Sequence, residues 1–212
     1  MAQSAFDGVY GQVGIGYSSI SPTGSNGSQT ITNNPGAGTY SRSTSNSSTA
    51  DFTGTVTVGY MGTVSNNFLL GIGAEYSPIS GSNTNSTSTG GGLPSATSQY
   101  KVQNGYNIFL SPAIAISKDK LIYGKVGYAG ASVPTTYAGS NNPRVNFTGY
   151  SLGVGYKQII QGGLYGFAEG NYFSYGNKQY NSSGIIGTTV YTTTQTLNAN
   201  SYNLMVGVGY KF

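Results

Sequence analysis

The residues of this chain that could do chemistry are two carboxylates and two lysines, placed within otherwise uncharged segments. Glu75 and Glu169 are the acids, and Lys125 and Lys157 are the lysines. Paired carboxylates can act as general acid and general base. Nearby ammonium groups instead favour the ionised state of both acids, which does not suit that role. We therefore expect these four side chains to form a structural ion-pair network and not a catalytic dyad.

The composition excludes the other common catalytic groups. The 212 residues include no histidine and no cysteine, and the five acidic residues are dispersed. Without an imidazole base, a Ser-His or Asp-His arrangement cannot form, and metal ions lack their usual nitrogen and sulfur ligands. The stretches "GIGAEY" and "VGVGYKF" are not followed by a predicted helix, as a nucleotide-binding loop requires. We expect no enzyme activity, no metal and no cofactor.

The low charge of the chain limits its surroundings and partners. Charged residues make up 7% of the sequence, against roughly 25% in soluble domains. The net charge is +4 and the lysines are scattered, so we expect no nucleic-acid partner. No apolar run approaches the ~18 residues of a membrane helix. This combination favours strands whose outer face meets something other than water.

Eight segments alternate between apolar and small or polar residues with a period of two, as β-strands do. They are "VYGQVGIGY", "DFTGTVTVGYM", "FLLGIGAEYS", "YNIFLSPAIAI", "LIYGKVGYAG", "TGYSLGVGYK", "LYGFAEGNYF" and the closing stretch from Tyr202 to Phe212. The connections after the second, fourth and sixth segments are short. The others, at roughly 19–50, 81–98, 133–145 and 177–200, are long and rich in Ser, Thr, Asn and Gly.

This alternation of connections predicts an all-β fold. We expect an eight-stranded antiparallel up-and-down transmembrane β-barrel, with short periplasmic turns and long extracellular loops, forming one domain over residues 1–212. In a membrane barrel the apolar face points to lipid, and small polar residues suit a narrow lumen. A lysine on the lipid face would cost roughly 2–4 kcal/mol near the midplane. The strand charges all lie on the polar face: Glu75, Lys101, Lys125, Lys157, Glu169 and Lys211.

Tyrosines near the strand ends lie on the apolar face, where a ring with a hydroxyl suits a membrane interface. We expect them to be interfacial aromatics: Tyr17, Tyr60, Tyr76, Tyr128, Tyr156 and Tyr210. The N-terminal segment "MAQSAFDGVYG" has neither the basic nor the apolar region of a signal peptide, and Ala2-Gln3-Ser4 would suit the start of a mature chain. We therefore expect a mature form located in the bacterial outer membrane.

Several strands are long enough to continue above the bilayer. A membrane strand needs ~9–11 residues, but β-prone sequence extends back from the last segment through "GTTVYTTTQTLNANSYN". The stretches "SATSQYKVQNGYN" and "NYFSYGNKQYN" extend the fourth and seventh segments in the same way. We predict a raised hairpin of the last two strands that presents backbone edges and Tyr175, Tyr180 and Tyr191 to partners, whereas a disordered polar loop over 177–200 is the alternative.

The repeated "GVGY"-like strand cores, "YGKVGY" and the closing "VGVGYKF" resemble the small outer-membrane β-barrel superfamily, the group of the OmpA transmembrane domain, OmpX and the Opa-type surface antigens. The resemblance covers nearly the whole chain. It implies that the last strand carries the signal read by the outer-membrane assembly machinery, at Leu204, Val206, Val208, Tyr210 and Phe212. Outer-membrane lipid and that machinery are the implied partners.

Three functions remain open from the sequence. We expect a structural or surface-interaction role, in adhesion or self-association, through the extracellular loops. A narrow pore for ions or small solutes is the first alternative, because glycines could leave a water path at Gly14, Gly16, Gly153, Gly155, Gly207 and Gly209. A secreted Ser/Thr/Gly-rich β-fibre subunit is the second alternative.

Overall fold

The computed structural model describes residues 4–24, 27–33, 36–79, 84–90, 95–100, 103–137, 140–141 and 145–212. In chain order its strands are β1 (Gly8–Gly24), β2 (Gly27–Thr32), β3 (Gly38–Asn46), β4 (Thr49–Ser65), β5 (Phe68–Ser77), β6 (Thr84–Gly90), β7 (Ala96–Tyr100), β8 (Gln103–Ala115), β9 (Lys120–Val133), β10 (Thr135–Tyr137), β11 (Ser140–Asn141), β12 (Val145–Gln161), β13 (Leu164–Ile186) and β14 (Thr189–Lys211). Over these residues there is no helix long and apolar enough to cross a bilayer.

Eight of these strands form a closed antiparallel ring. The order around it is β1, β4, β5, β8, β9, β12, β13 and β14, and β14 pairs back onto β1. Val13 of the first strand, for example, lies directly opposite Val208 of the last. The predicted eight-stranded barrel is therefore confirmed. A closed ring leaves no free strand edge in the barrel for edge-to-edge addition of another subunit, so the architecture is not that of a fibre subunit.

The period of two along each strand separates the outer face from the lumen. Along β5, exposed and buried residues alternate from Phe68 to Tyr76. The exposed members are apolar: Ile72 is 55% exposed on β5, Val154 is 69% exposed on β12 and Leu204 is 73% exposed on β14. A soluble barrel would bury these side chains. The outer face is thus a continuous apolar belt whose natural solvent is hydrocarbon.

Aromatic residues lie on this outer face at two levels. The upper level holds Tyr17, Phe52, Tyr76, Tyr106, Tyr128, Tyr150, Tyr172 and Tyr202, and the lower level holds Tyr60, Phe68, Tyr156, Tyr210 and Phe212. Phe52 and Tyr60 lie eight residues apart on the same strand. A rise of ~3.4 Å per residue and a tilt of ~40° put the two levels about 20 Å apart, close to the height of a membrane-barrel apolar band.

The turns at the lower end of the barrel are short. Gly162 occupies the left-handed region with φ +58° in the turn between β12 and β13, where another residue would be strained. Between β8 and β9, the Ser117 hydroxyl donates to Asp119 Oδ1 over 2.6 Å, and this hydrogen bond lowers the pKa of the exposed Asp119 carboxyl. The chain enters from this end, where Phe6 is buried inside the barrel.

Above the belt, the upper connections continue the same sheet as shorter strands, here called the upper sheet. The upper part of β14 pairs with β2, and the order continues through β3, β6, β7, β10 and β11. This order repeats that of the barrel, because each of these strands continues the barrel strand next to it in sequence. The regions 19–50 and 81–98, expected to be loops, thus contain strands. Their Ser and Thr content suits strands with a water-exposed face, which composition alone does not distinguish from loops.

The last two barrel strands continue upward as a hairpin, paired from the rim of the barrel to Ile186 and Thr189 at the tip. This confirms the predicted raised hairpin over the disordered alternative. Arg42, expected in a loop, lies on β3 and is buried in the upper sheet. Its Nη1 donates to Gln29 Oε1 over 2.7 Å, and its Nε donates to Ser88 Oγ over 2.6 Å. Arg42 therefore ties three strands of the upper sheet together.

Candidate functional site

The lower half of the lumen is filled by large side chains. Small polar residues are buried in the lumen as expected, for example Thr57, Ser111 and Ser151. The lower half also holds a cluster of aromatic and aliphatic side chains, which consists of Phe6, Tyr10, Met61, Leu69, Ala113, Leu121, Tyr123, Tyr165, Phe167 and Met205. The sequence did not indicate this cluster, because parity assigns a face and does not give the volume that the face must fill.

The inward glycines and inward rings occur as cross-strand pairs. Tyr10 lies opposite Gly59, and a Cβ at Gly59 would lie 2.6 Å from the tyrosine ring. Phe109 lies opposite Gly73 in the same relationship, also at 2.6 Å. Three further rings cover the glycine opposite them: Tyr123 on Gly155, Tyr165 on Gly209 and Phe167 on Gly207. Each glycine thus makes room for a neighbour's ring.

These pairs bear on the pore alternative. The space over Gly14 and Gly207 is taken by Phe167, and the space over Gly155 is taken by Tyr123. The expectation that such glycines could leave a water path is therefore wrong at these positions. The described side chains fill the lumen here, as expected for eight strands.

A single ammonium group joins the two acids of the lumen. Lys125 Nζ lies 2.9 Å from Glu75 Oε2 and 2.8 Å from Glu169 Oε1. Glu169 also accepts hydrogen bonds from the Tyr123 hydroxyl at 2.7 Å and from Asn171 Nδ2 at 2.6 Å. All three charged side chains are at least nine-tenths buried. Fixed hydrogen-bond donors hold both carboxylates, which suits a structural role more than proton transfer.

Lys157 occupies a separate site below this cluster. Its Nζ lies 3.9 Å from the ring centroid of Tyr10, 4.9 Å from that of Tyr165 and 5.1 Å from that of Tyr123. In the described part of the chain it forms no salt bridge with either acid. Three ring faces stabilise this buried ammonium by cation–π interactions. The sequence placed Lys157 on the correct face but could not show that its neighbours are rings.

An open cavity, here called the vestibule, lies above the ion cluster at the level of the upper aromatics. Water-sized molecules can occupy about 80 Å³ of it, and its empty space including open solvent is about 870 Å³. Polar residues line its lower part: Thr53, Glu75, Asn107, Ser201 and Asn203. Three aromatic residues line its wall, namely Phe147, Phe173 and Tyr175, and the Phe173 and Tyr175 rings lie nearly parallel, 8° apart, with centroids 6.4 Å apart. No sequence signal had indicated this cavity.

The tyrosines expected on the raised hairpin are placed differently. Tyr175 lines the vestibule, because it shares the inward parity of Glu169 on β13. Tyr191 is half-buried, with its hydroxyl close to Gly184 on the neighbouring strand. The prediction that these two side chains face partners is wrong. The Tyr180 side chain and all of Lys101 lie outside the described residues.

The outer-face candidates occupy the following positions. Tyr17, Tyr76 and Tyr128 lie at the upper aromatic level, and Tyr60 and Tyr156 lie at the lower one. The C-terminal residues with alternate spacing are all exposed on the outer face: Leu204, Val206, Val208, Tyr210 and Phe212. The Phe212 amide donates to the Val9 carbonyl over 2.9 Å, which fixes the end of the chain to the first strand. Among the described residues, no three acidic side chains are grouped so as to hold a metal ion.

No protein-family model matches the chain, and no curated protein matches its sequence. Its structure is similar to that of the outer membrane protein OprG from Pseudomonas aeruginosa, at 13% identity and a TM-score of 0.60 over 97% of this chain and 96% of that one. It is also similar to Neisserial surface protein A, at 14% identity and a TM-score of 0.52 over 100% of both chains. Ail of Yersinia pestis aligns over 97% of this chain and 99% of its own, at 13% identity and a TM-score of 0.44.

The likeness at these identities concerns the fold. OprG and Neisserial surface protein A share the barrel, and the exposed belt of this chain gives the same orientation to lipid by an independent argument. An eight-stranded barrel of this fold, with an outer face that only hydrocarbon can cover, is a bacterial outer-membrane β-barrel protein.

Proposed function

We propose that this protein is a surface-contact protein that associates with copies of itself on a facing membrane, by strand addition along the raised part of β13. One observation supports this most directly. From Gly176 to Ile186, β13 pairs with β14 and, within the described residues, with no strand on its other side. By contrast, β14 pairs with β2 on its second side at the same height. An edge of this kind presents unpaired backbone groups that bind another strand.

The composition of the raised edge suits strand addition. The segment "GNKQYNSSGII" has no proline and a single charge, that of Lys178. Natural edges that avoid pairing carry charges, prolines or very short strands. Asn181 and Ser183 are exposed, and Ile185 is 70% exposed. The edge thus lacks the features that normally block association.

Symmetry favours a partner on the opposite membrane. Identical edges pair antiparallel about a two-fold axis perpendicular to the sheet. The raised strands run away from the bilayer, so this rotation turns one copy upside down relative to the other. Two barrels in one membrane cannot satisfy that relationship, whereas barrels on two facing cells can. The proposal is therefore adhesion between cells, with a second copy of this chain as the partner.

Single cysteines test the proposal cleanly, because the chain has none of its own. We would place cysteine at Gln179, Asn181 or Ser183 of the edge, and at Thr192 or Thr194 as controls. Thr192 lies directly opposite Ser183, and Thr194 directly opposite Asn181, so each control has the same height on a strand paired on both sides. Two cell populations carry the variants on differently tagged copies, and are mixed in all combinations and oxidised.

We expect disulfide dimers between differently tagged copies only for edge positions that lie opposite each other. In an antiparallel pair, the two residue numbers of such positions always add up to the same value, and this value gives the register of the pair. The Thr192 and Thr194 variants should give none. Mixed dimers that form equally from edge and control positions would reflect random collision and contradict the proposal. Absence of mixed dimers from every edge combination, while the cells display the protein, would also overturn it.

A further inference from the structure

We infer that the vestibule is a binding site for a neutral sugar ring, a pyranose of monosaccharide size. The site is separate from the β13 edge and does not depend on the surface-contact role. Its argument rests on two unsatisfied amide groups, on the charge of the lining and on the aromatic wall.

Two buried amide atoms in the vestibule have no hydrogen-bond partner among the residues that the structure describes. Asn107 Nδ2 is a donor without an acceptor, and Asn203 Oδ1 is an acceptor without a donor. The two residues are 2% and 8% exposed. The other amide atom of Asn107, Oδ1, is engaged by the Ser151 hydroxyl at 2.8 Å, which fixes the side chain. A buried polar atom left unpaired is costly, so both atoms call for a polar partner inside the cavity.

The two amides face each other across the lumen. Asn107 is on β8 and Asn203 is on β14, and the ring order puts three strands between them on either side. A single small molecule in the cavity can therefore contact both walls. It must accept a hydrogen bond on one side and donate one on the other. A hydroxyl group does both, and a molecule with several hydroxyls meets both requirements in one pose.

The charge of the described lining disfavours an anionic ligand. Asp51 and Glu75 line the vestibule, and none of its described lining residues is a lysine or an arginine. The Glu75 carboxylate is already bound by Lys125 and by the Thr57 hydroxyl, at 2.9 and 3.3 Å. Phosphate, sulfate and carboxylate groups would meet no cation among these lining residues. The ligand that we infer is therefore neutral.

The aromatic wall supplies the apolar contact that a sugar ring needs. A pyranose carries hydroxyls on its rim and C–H groups on its faces, and those faces pack on aromatic rings. Phe173 and Tyr175 follow each other on the inner face of β13 with nearly parallel rings, and Phe147 on β12 adds a third ring. Rings on one side and amides below fit the two kinds of sugar surface.

The test is a titration of the folded protein in a detergent without a sugar headgroup, followed by NMR of the asparagine side-chain amides. The first probes are the methyl glycosides of glucose, galactose and mannose. The second probe is a deacylated core oligosaccharide of lipopolysaccharide, which distinguishes a free sugar from the end of a surface glycan. Tetramethylammonium serves as a cationic comparison of similar size.

The variants are Asn203→Leu and Phe173→Leu, with Asn200→Leu and Phe68→Leu as matched controls. Asn200 is half-buried and Phe68 is exposed, both on the outer face of the barrel and away from the vestibule. We expect millimolar binding of at least one glycoside, weakened tenfold or more by each vestibule variant and unchanged by the controls. Asn203→Leu removes an unsatisfied acceptor and should therefore not impair folding.

Each outcome bears on the inference. Tighter binding of the oligosaccharide supports a surface glycan as the natural source, and binding of the glycosides alone supports a free sugar. Binding of tetramethylammonium without any glycoside would overturn the inference. So would the absence of any glycoside or oligosaccharide effect at high concentration, or equal binding by the parent and the Asn203→Leu variant.

Discussion

Lys125 and Glu75 are bound to each other across an intervening strand. Lys125 is on β9 and Glu75 is on β5, and β8 lies between them in the ring. The contact of Lys125 with Glu169 crosses β12 in the same way. One ammonium group therefore braces an arc of five strands from inside. Backbone ladders hold only adjacent strands, so this link adds a restraint that the sheet itself does not provide.

Removing the ammonium should destabilise the barrel. Lys125→Met leaves two buried carboxylates without their shared cation, and breaking a buried pair from one side costs about 3–5 kcal/mol. Urea unfolding in lipid vesicles measures the loss. The triple variant Lys125→Met, Glu75→Gln, Glu169→Gln removes the stranded charges as well, and should recover most of the stability. If the Lys125→Met variant were as stable as the parent, the contacts of Lys125 with the two acids would not stabilise the barrel.

The outer belt should tolerate a lysine only near its margins. Val154 is 69% exposed between the two aromatic levels of β12, and Val64 is 63% exposed beside the lower turn. Val154→Lys should cost roughly 2–4 kcal/mol of unfolding free energy in lipid, and Val64→Lys at most about 1 kcal/mol, because the penalty falls with distance from the midplane. Equal costs for the two variants would contradict the membrane position of the belt.

The last residue should matter more for assembly than for stability. In Phe212→Ala, the backbone hydrogen bond from residue 212 to the Val9 carbonyl remains available. We expect lower surface levels in cells but normal refolding in detergent. Phe68→Ala is the matched control, since Phe68 is also an exposed aromatic at the lower level. Surface levels that fall equally for both variants, or for neither, would argue against an assembly signal at the C-terminus.

Amide exchange should reveal the free edge of the raised hairpin. From Lys178 to Ile186, β13 is paired on one side, so every second amide should exchange rapidly. From Val190 to Thr194, β14 is paired on both sides, so consecutive amides should all be protected. Uniform protection along β13 would mean that something covers the edge. Rapid exchange throughout 187–199 would remove the hairpin altogether.

The lipid and lumen faces could be predicted from the sequence because each depends on one strand at a time. Lys125 and Glu169 alternate with exposed apolar neighbours, and the energetic cost of a charge in lipid leaves only one orientation. The pairing of Lys125 with both acids was beyond reach, because contacts across the lumen depend on the stagger of strands that are not neighbours. The alternation of strand faces assigned four side chains to the lumen. It could not show that Lys125 binds both acids whereas Lys157 is surrounded by aromatic rings.

The upper sheet was harder to predict for a different reason. An irregularity between Tyr175 and Lys178 shifts the register of β13 by one residue above the barrel. Such a shift changes which side chains face inward, and nothing in the local composition marks it. The vestibule could not be predicted from the sequence either, because its aromatic wall and its amide floor come from strands far apart in sequence.

The pairs of rings and glycines have a consequence for how the barrel reaches its final form. Backbone hydrogen bonds are the same in every antiparallel alignment, so they cannot tell a correct alignment from one that has slipped. A slip by two residues between β1 and β4, which keeps the inner and outer faces, would carry the Tyr10 ring from Gly59 to Thr57 or Met61, whose side chains leave it no room. Five such pairs at four strand seams let side-chain packing distinguish the correct alignment where the backbone cannot, so a nascent barrel can correct a slipped pairing before it closes.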